Sequence, residues 1–234
     1  MSLVGDALKG LGDLLTDAWH AIEDYFSDGP TGSPIQQCPL TNTAMPEIKP
    51  ASCAAAPSEI HLPKAVNKAM KDAYANSFPG GVSQEHGGTI VKSADGTIKV
   101  INEGSGTSGT FSPNRATGRG EKLIGIFHTH PYDASEGGSK GVSFSAADMS
   151  IAIAEGEADY VDAGTHQFAI MPTGETPAVS HAAMQTEWNA AFAAAAKKGL
   201  GFEAATRATA LELAKKHKMA YYEGKDGVLK KLSC

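Results

Sequence analysis

The sequence predicts an α+β fold, a mixed β-sheet flanked by helices and preceded by an amphipathic helix and an irregular proline-rich linker. Three observations predict it. Strand-like runs come in a group and are followed by alanine-rich helical segments, the order expected of α+β rather than of alternating α/β. Two apolar runs flank Ser93-Ala94-Asp95-Gly96, a hairpin signal with Asp-Gly at the turn. The chain has 234 residues, 41% hydrophobic and 20% charged, enough for one packed domain with an appendage.

Residues 2–27 carry Val4, Leu8, Leu11, Leu15, Ala18, Ile22 and Tyr25 at alternating spacings of four and three, one face of a helix. Gly5, Gly10 and Gly12 weaken that helix, so it needs a partner surface. That surface is either its own domain or another protein, and residues 1–28 form the expected docking segment. Six of the twelve prolines fall in residues 29–58, which read as a linker or an irregular wrap, bounded at residue 59. The main domain is expected over 60–234.

Leu62–Ala75 reads as a helix with Pro63 in its first turn. The hairpin follows over 87–92 and 97–101, then a Gly/Ser/Thr-rich loop over 103–120 that reads as mobile. Lys122–His128 suits a buried strand. A second glycine-containing loop spans 132–142, and Ser145 opens a helix to about Ala154. Strands are expected at 160–161 and 167–171, helices over 182–198 and 203–218, and a last β element over 219–223 and 228–231.

Charge divides the chain. Residues 1–60 hold eight carboxylates against Lys9 and Lys49 and so account for the whole net charge of −6. The remainder is neutral with a lysine-rich end. The acidic balance and a pI near 5.7 argue against a nucleic-acid partner. No apolar run is long enough to span a membrane, and the N-terminus lacks the basic region of a secretory signal peptide. Three cysteines, Cys38, Cys53 and Cys234, are too few for a disulfide scaffold. They read as free thiols, or Cys38 and Cys53 pair in an oxidising compartment.

The chemically informative segment is Phe127-His128-Thr129-His130-Pro131. Histidines two apart on a strand project to one face, where both rings can meet one metal ion. Alone, such a pair is a weak signal. Ser145-Ala146-Ala147-Asp148 follows. Asp148 supplies a third ligand, or with Ser145 caps a helix, and both roles can hold together. Two histidines and one carboxylate leave a zinc position open for water, as in hydrolytic sites. The general base must then be another carboxylate. Glu85, in Gln84-Glu85-His86-Gly87-Gly88, is the candidate, although a glutamate before a strand is ordinarily a surface residue.

Glu85 with its following glycines, then His128-x-His130-Pro131, then Ser145-x-x-Asp148, resembles the signature of the JAB/MPN (JAMM) zinc metalloproteases. The resemblance covers roughly residues 60–175. It implies a JAB/MPN-like fold and one Zn²⁺ held by His128, His130 and Asp148. It also implies Glu85 as general base and Ser145 as an oxyanion stabiliser, hence a peptidase or isopeptidase acting on a protein or peptide. The interval from His130 to Asp148 is longer than in deubiquitinating members, because of Tyr132–Val142. The segment from Gly87 to Met149 is similar to JAB-type domains of bacterial polymorphic and Rhs-type toxins.

That similarity implies a bacterial effector made in the cytoplasm and exported without a signal peptide into a target cell. Residues 1–58 would engage a secretion-machine carrier, such as one of type VI, and an immunity protein would cover the zinc cleft. The competing expectations are a metal-free MPN-type scaffold or an amidase acting on cell-wall peptides. Trp19 and Trp188 read as packing residues, and the remaining histidines lack ligand-like spacing.

Overall fold

The computed structural model describes Met45 and residues 49–233. The helix expected over 2–27 and most of the proline-rich linker lie outside the described residues. The described chain is α+β, with one mixed sheet of eight strands in the order β1-β8-β7-β6-β5-β4-β2-β3. The strands are β1 (Glu59–His61), β2 (His86–Lys92), β3 (Ile98–Ser105) and β4 (Lys122–Thr129). They continue with β5 (Asp159–Asp162), β6 (Gln167–Met171), β7 (Ala220–Lys225) and β8 (Val228–Lys231). All neighbours are antiparallel except β4 and β5. A parallel pair needs a crossover, and α2 (Ala146–Glu155) supplies it.

Helices cover both faces. Successive strand residues point to opposite sides, so Tyr160, Ala169 and Tyr222 join the core under α1 (Lys64–Ala75) with its Val66 and Met70. Val161, Phe168, Ile170 and Tyr221 instead face α2, α3 (His181–Lys197) and α4 (Phe202–Lys216), meeting Met149, Met184 and Leu213. This two-sided burial explains why β4–β6 read as apolar runs rather than as alternating ones.

Most expected elements are present, with shifted ends. Pro63 occupies the cap position of α1 with extended backbone (ψ 144°), not the first turn. The hairpin turn falls where Asp95-Gly96 placed it, Gly96 taking φ 87°. Strand β3 runs on to Ser105, so the glycine-rich loop begins later than expected. That loop is also tied down at its middle. Asn102 Nδ2 donates to the Asn114 and Ala116 carbonyls, Thr89 Oγ1 donates to Asn114 O, and Arg115 pairs with Glu157.

The folded unit begins before residue 59. Met45, Cys53 and Ala56 are core residues, and Lys231 Nζ donates to the carbonyls of Cys53 (3.0 Å) and Ala56 (2.7 Å). Residues 50–58 are therefore the irregular wrap rather than a linker. Cys53 is disulfide-bonded, not a free thiol. Cys38 and Cys234 both lie outside the described residues.

Candidate metal centre

His128 sits on β4 and His130 one residue beyond its end. Strand geometry turns both rings to one side and Thr129 to the other. Both histidines are buried at 6% exposure. Their Nε2 atoms stand 2.9 Å apart. Asp148 closes the group, with Oδ1 3.5 Å from His128 Nε2 and Oδ2 3.4 Å from His130 Nε2. The sequence-predicted histidine pair and aspartate are thus brought together. They form a cluster whose ligand atoms all lie within 4.8 Å of one another.

The Asp148 carboxylate is aimed by its helix. Ser145 caps α2: its Oγ accepts from Asp148 N at 3.3 Å, and Asp148 Oδ2 accepts from Ser145 N at 2.7 Å. The capping role and the ligand role coexist, because the box fixes the side chain with carboxylate oxygens still facing the imidazoles. The Ser145 hydroxyl accepts in this bond, so its own proton remains available to another acceptor.

Each histidine is also held from behind. His130 Nδ1 lies 3.2 Å from Val142 O, and His128 Nδ1 lies 3.2 Å from Asp159 Oδ1. A carbonyl can only accept, so the His130 proton sits on Nδ1, and the Asp159 carboxylate directs the His128 proton likewise. Two Nε2 lone pairs then face one another across 2.9 Å. Neutral, that juxtaposition is repulsive, and either a shared proton or a metal cation between the rings relieves it. Zinc–nitrogen bonds of about 2.0–2.1 Å would set tetrahedral ligand atoms about 3.4 Å apart, close to the spacings here. The donor set therefore fits a metal ion.

Electrostatics agree with that fit. Burial alone would lower the His128 pKa, yet Asp159 and Asp148 together hold it well above its usual value. Burial would raise Asp148, but His128 and His130 hold it well below the ordinary carboxylate range. The centre thus keeps Asp148 ionised and favours positive charge.

Glu85 lines the same cleft, immediately before β2, and is buried. Its backbone is fixed on both sides, Glu85 N donating to Thr107 O and Gly106 N donating to Glu85 O, each at 2.8 Å. Desolvation raises its carboxyl pKa against the opposing pull of His128 and His130. The approach of β2 to β4 explains the glycines that follow. A Cβ on Gly87 would stand 2.3 Å from Phe127 O, and one on Gly88 would stand 2.9 Å from the Phe127 ring. Neighbouring His86 is half-buried, and its Nε2 is buried without a hydrogen-bond partner.

The long interval before Asp148 has a local structure of its own. Asp133 caps a short 3₁₀ turn, Ala134–Glu136, and its Oδ2 accepts from Ser83 N at 2.9 Å. The segment after His130 is thereby stitched to the one leading into Glu85.

Comparison with known proteins finds no matching family model, no matching curated protein and no matching solved structure.

Sequence reasoning missed Asp159, the carboxylate behind His128. It lies 29 residues beyond His130 in an unremarkable Ala-Asp-Tyr stretch, and only the parallel pairing of β4 with β5 brings it alongside. Trp188 packs against the core as expected and also lines the cleft. His61, His181 and His217 keep local partners, Glu59, Ser150 and Glu187 respectively. No helix among the described residues is long and apolar enough to cross a membrane.

Proposed function

We propose that this chain is a zinc-dependent hydrolase of the JAB/MPN kind, cleaving a peptide or isopeptide bond. The observation that carries the reading is the convergence of His128, His130 and Asp148 in a cleft that Glu85 and Ser145 also line. His128, His130 and Asp148 would hold the ion. Bound zinc supplies a Lewis acid for the scissile carbonyl and lowers the pKa of its water to about 7.

The chain's own groups do the rest. Glu85, raised by burial, takes a proton from the attacking water and returns it to the departing amine. The Ser145 hydroxyl, with its proton uncommitted, donates to the oxyanion as the carbonyl becomes tetrahedral. Asp159 and Val142 O hold the imidazoles in the tautomers that present Nε2.

Elemental analysis of purified protein tests the metal: near one zinc per chain for wild type and for Glu85→Gln, none for His128→Ala. Glu85→Gln should then hydrolyse peptides at least about 100-fold more slowly, the scale of a lost general base. Metal-free wild type or an active Glu85→Gln refutes the reading.

The reading as an exported bacterial effector rests on the sequence of residues 1–58. Because Met45, Cys53 and Ala56 are core residues, the deletion that tests carrier binding must end before Met45. Loss of residues 1–44 should abolish export and leave hydrolysis intact, and unchanged export overturns this part.

A further inference from the structure

We infer that the cleft carries, beside the His128–His130–Asp148 cluster, a built subsite for a large apolar side chain, aromatic or branched aliphatic, of a peptide substrate. The inference rests on the hydrolase reading and names its substrate class.

The cleft has a volume of about 360 Å³, within the range of small-ligand pockets. Among the described residues, five large hydrophobic side chains are exposed, and two of them, Ile151 (45%) and Phe202 (43%), line this cleft. Single exposed apolar residues need no explanation, but two on the rim of one polar centre do. Ile151 lies three residues after Asp148 on α2, so the apolar wall starts one helical turn from a metal-ligand position.

The wall is braced. The Phe202 ring meets Tyr132 edge-on at 5.6 Å and Phe192 at 6.1 Å, and Phe192 stacks on Trp188 at 5.0 Å with the planes 9° apart. Such aromatic contacts favour defined ring orientations before anything binds. The Trp188 indole N–H is spent on Phe144 O at 3.3 Å. What that residue offers the cleft is therefore apolar. Besides the His128–His130 pair, the ionisable groups lining the cleft include the acids Glu85, Glu136, Asp148 and Asp159, with no lysine or arginine among the described lining residues. Away from the metal cluster an acidic substrate side chain would find no lysine or arginine to pair with, and a small one would leave Ile151 and Phe202 wet.

Zinc-loaded Glu85→Gln protein binds without turning over, so it isolates recognition from chemistry. The probes are acetyl-Gly-Ser-X-Gly-Ser-amide peptides with X as Phe, Leu, Gly, Lys or Glu, with affinities read by equilibrium dialysis. The Phe and Leu peptides should bind about tenfold or more tightly than the Gly and Glu peptides. Phe202→Ser should bring the Phe peptide down to the level of the Gly peptide. Because Phe202 is exposed, its variant should melt within a few degrees of wild type, and Ile151→Ser provides a second, independent truncation of the wall. Equal affinities, a preference for Lys or Glu, or no binding at all overturns the subsite. A dimer that Phe202→Ser splits, without a peptide preference, assigns the wall to a second copy of the chain and also overturns it. Wild-type hydrolysis is scored separately. Phe-selective binding without cleavage sinks the hydrolase reading and spares the subsite, whereas cleavage indifferent to X does the reverse.

Discussion

The Thr129 hydroxyl stands 2.9 Å from the backbone amide of His86 and accepts its hydrogen bond. Thr129 lies between the two histidines of the candidate metal centre, and His86 directly follows Glu85. One side chain thus ties the strand that carries the imidazoles to the segment that carries the proposed base. Ser77 Oγ, also 2.9 Å from Thr129 Oγ1, braces the same hydroxyl from α1's end. Thr129→Val keeps the shape and removes both bonds. It should destabilise the fold by about 1–3 kcal/mol, the cost of stranding buried polar groups, as measured by urea denaturation. Zinc content should stay near one per chain while hydrolysis falls about 10–100-fold, since the histidines stay while the Glu85 segment loses its tie to their strand.

Asp159 is 2% exposed and meets His128 Nδ1 from behind, so in the proposed hydrolase it is a positioning residue. Asp159→Asn keeps the volume and removes the charge behind His128. Metal affinity should fall about 10–100-fold, measured by competition with a chromogenic chelator. An unchanged affinity would show that the imidazole is held by the strand alone.

Metal binding should be visible in stability. An ion that binds only the folded chain at 100 times its Kd adds about 2.7 kcal/mol. For a domain of this size that is roughly 5–10 °C of melting temperature. Zinc addition to the apo protein should raise the melting temperature on that scale in wild type and not in His128→Ala.

Much of the centre was legible because its chemistry is local in sequence. The i, i+2 histidines need only a strand, and the capping box needs only a helix start, so both could be read without tertiary information. Asp159 could not, since its partnership with His128 depends on β5 lying parallel to β4 across the α2 crossover. The apolar wall was hidden for a related reason. Trp188 and Phe202 sit on two different helices, and their alanine-rich neighbours read as generic core. The strand runs were placed well where both faces are buried, as in Phe168–Ala169–Ile170. The ends of β3 and α1 were not, because Gly-Ser composition and Pro63 tolerate more than one backbone state.

Acid should weaken the fold through His166. It stacks on Phe168 with ring centroids 6.0 Å apart, and its pKa is lowered to about 4 by burial first and by Arg207 and Lys225 second. Glu223 lies 3.6 Å from Nε2, but Arg207 already pairs with that carboxylate. A histidine whose folded pKa is depressed contributes stability above its unfolded value near 6.5, and that contribution is lost as pH falls toward 4. Across that window wild type should lose up to about 3 kcal/mol relative to His166→Gln, at 1.36 kcal/mol per pH unit. Urea midpoints at pH 7.5 and 4.5 measure it, and parallel losses in the two proteins would contradict it.

The glycine after His86 is required by distance rather than by conformation. Gly87 pairs with His128 across β2 and β4, and a methyl group there would meet Phe127 O at 2.3 Å and the Phe111 ring at 2.5 Å. The ring can rotate away, but the carbonyl belongs to the strand that carries His128. Gly87→Ala must therefore push β2 off β4 just where Glu85 is held. It should cost about 1–3 kcal/mol or more, as overpacking does. Hydrolysis should fall further than stability does, because the displaced strand is the one that follows the base. Gly109 is the control. A Cβ there meets nothing within 4 Å and its φ is not left-handed, so Gly109→Ala should melt with wild type. If both variants melt alike, the close approach of the two strands is not what the glycine serves.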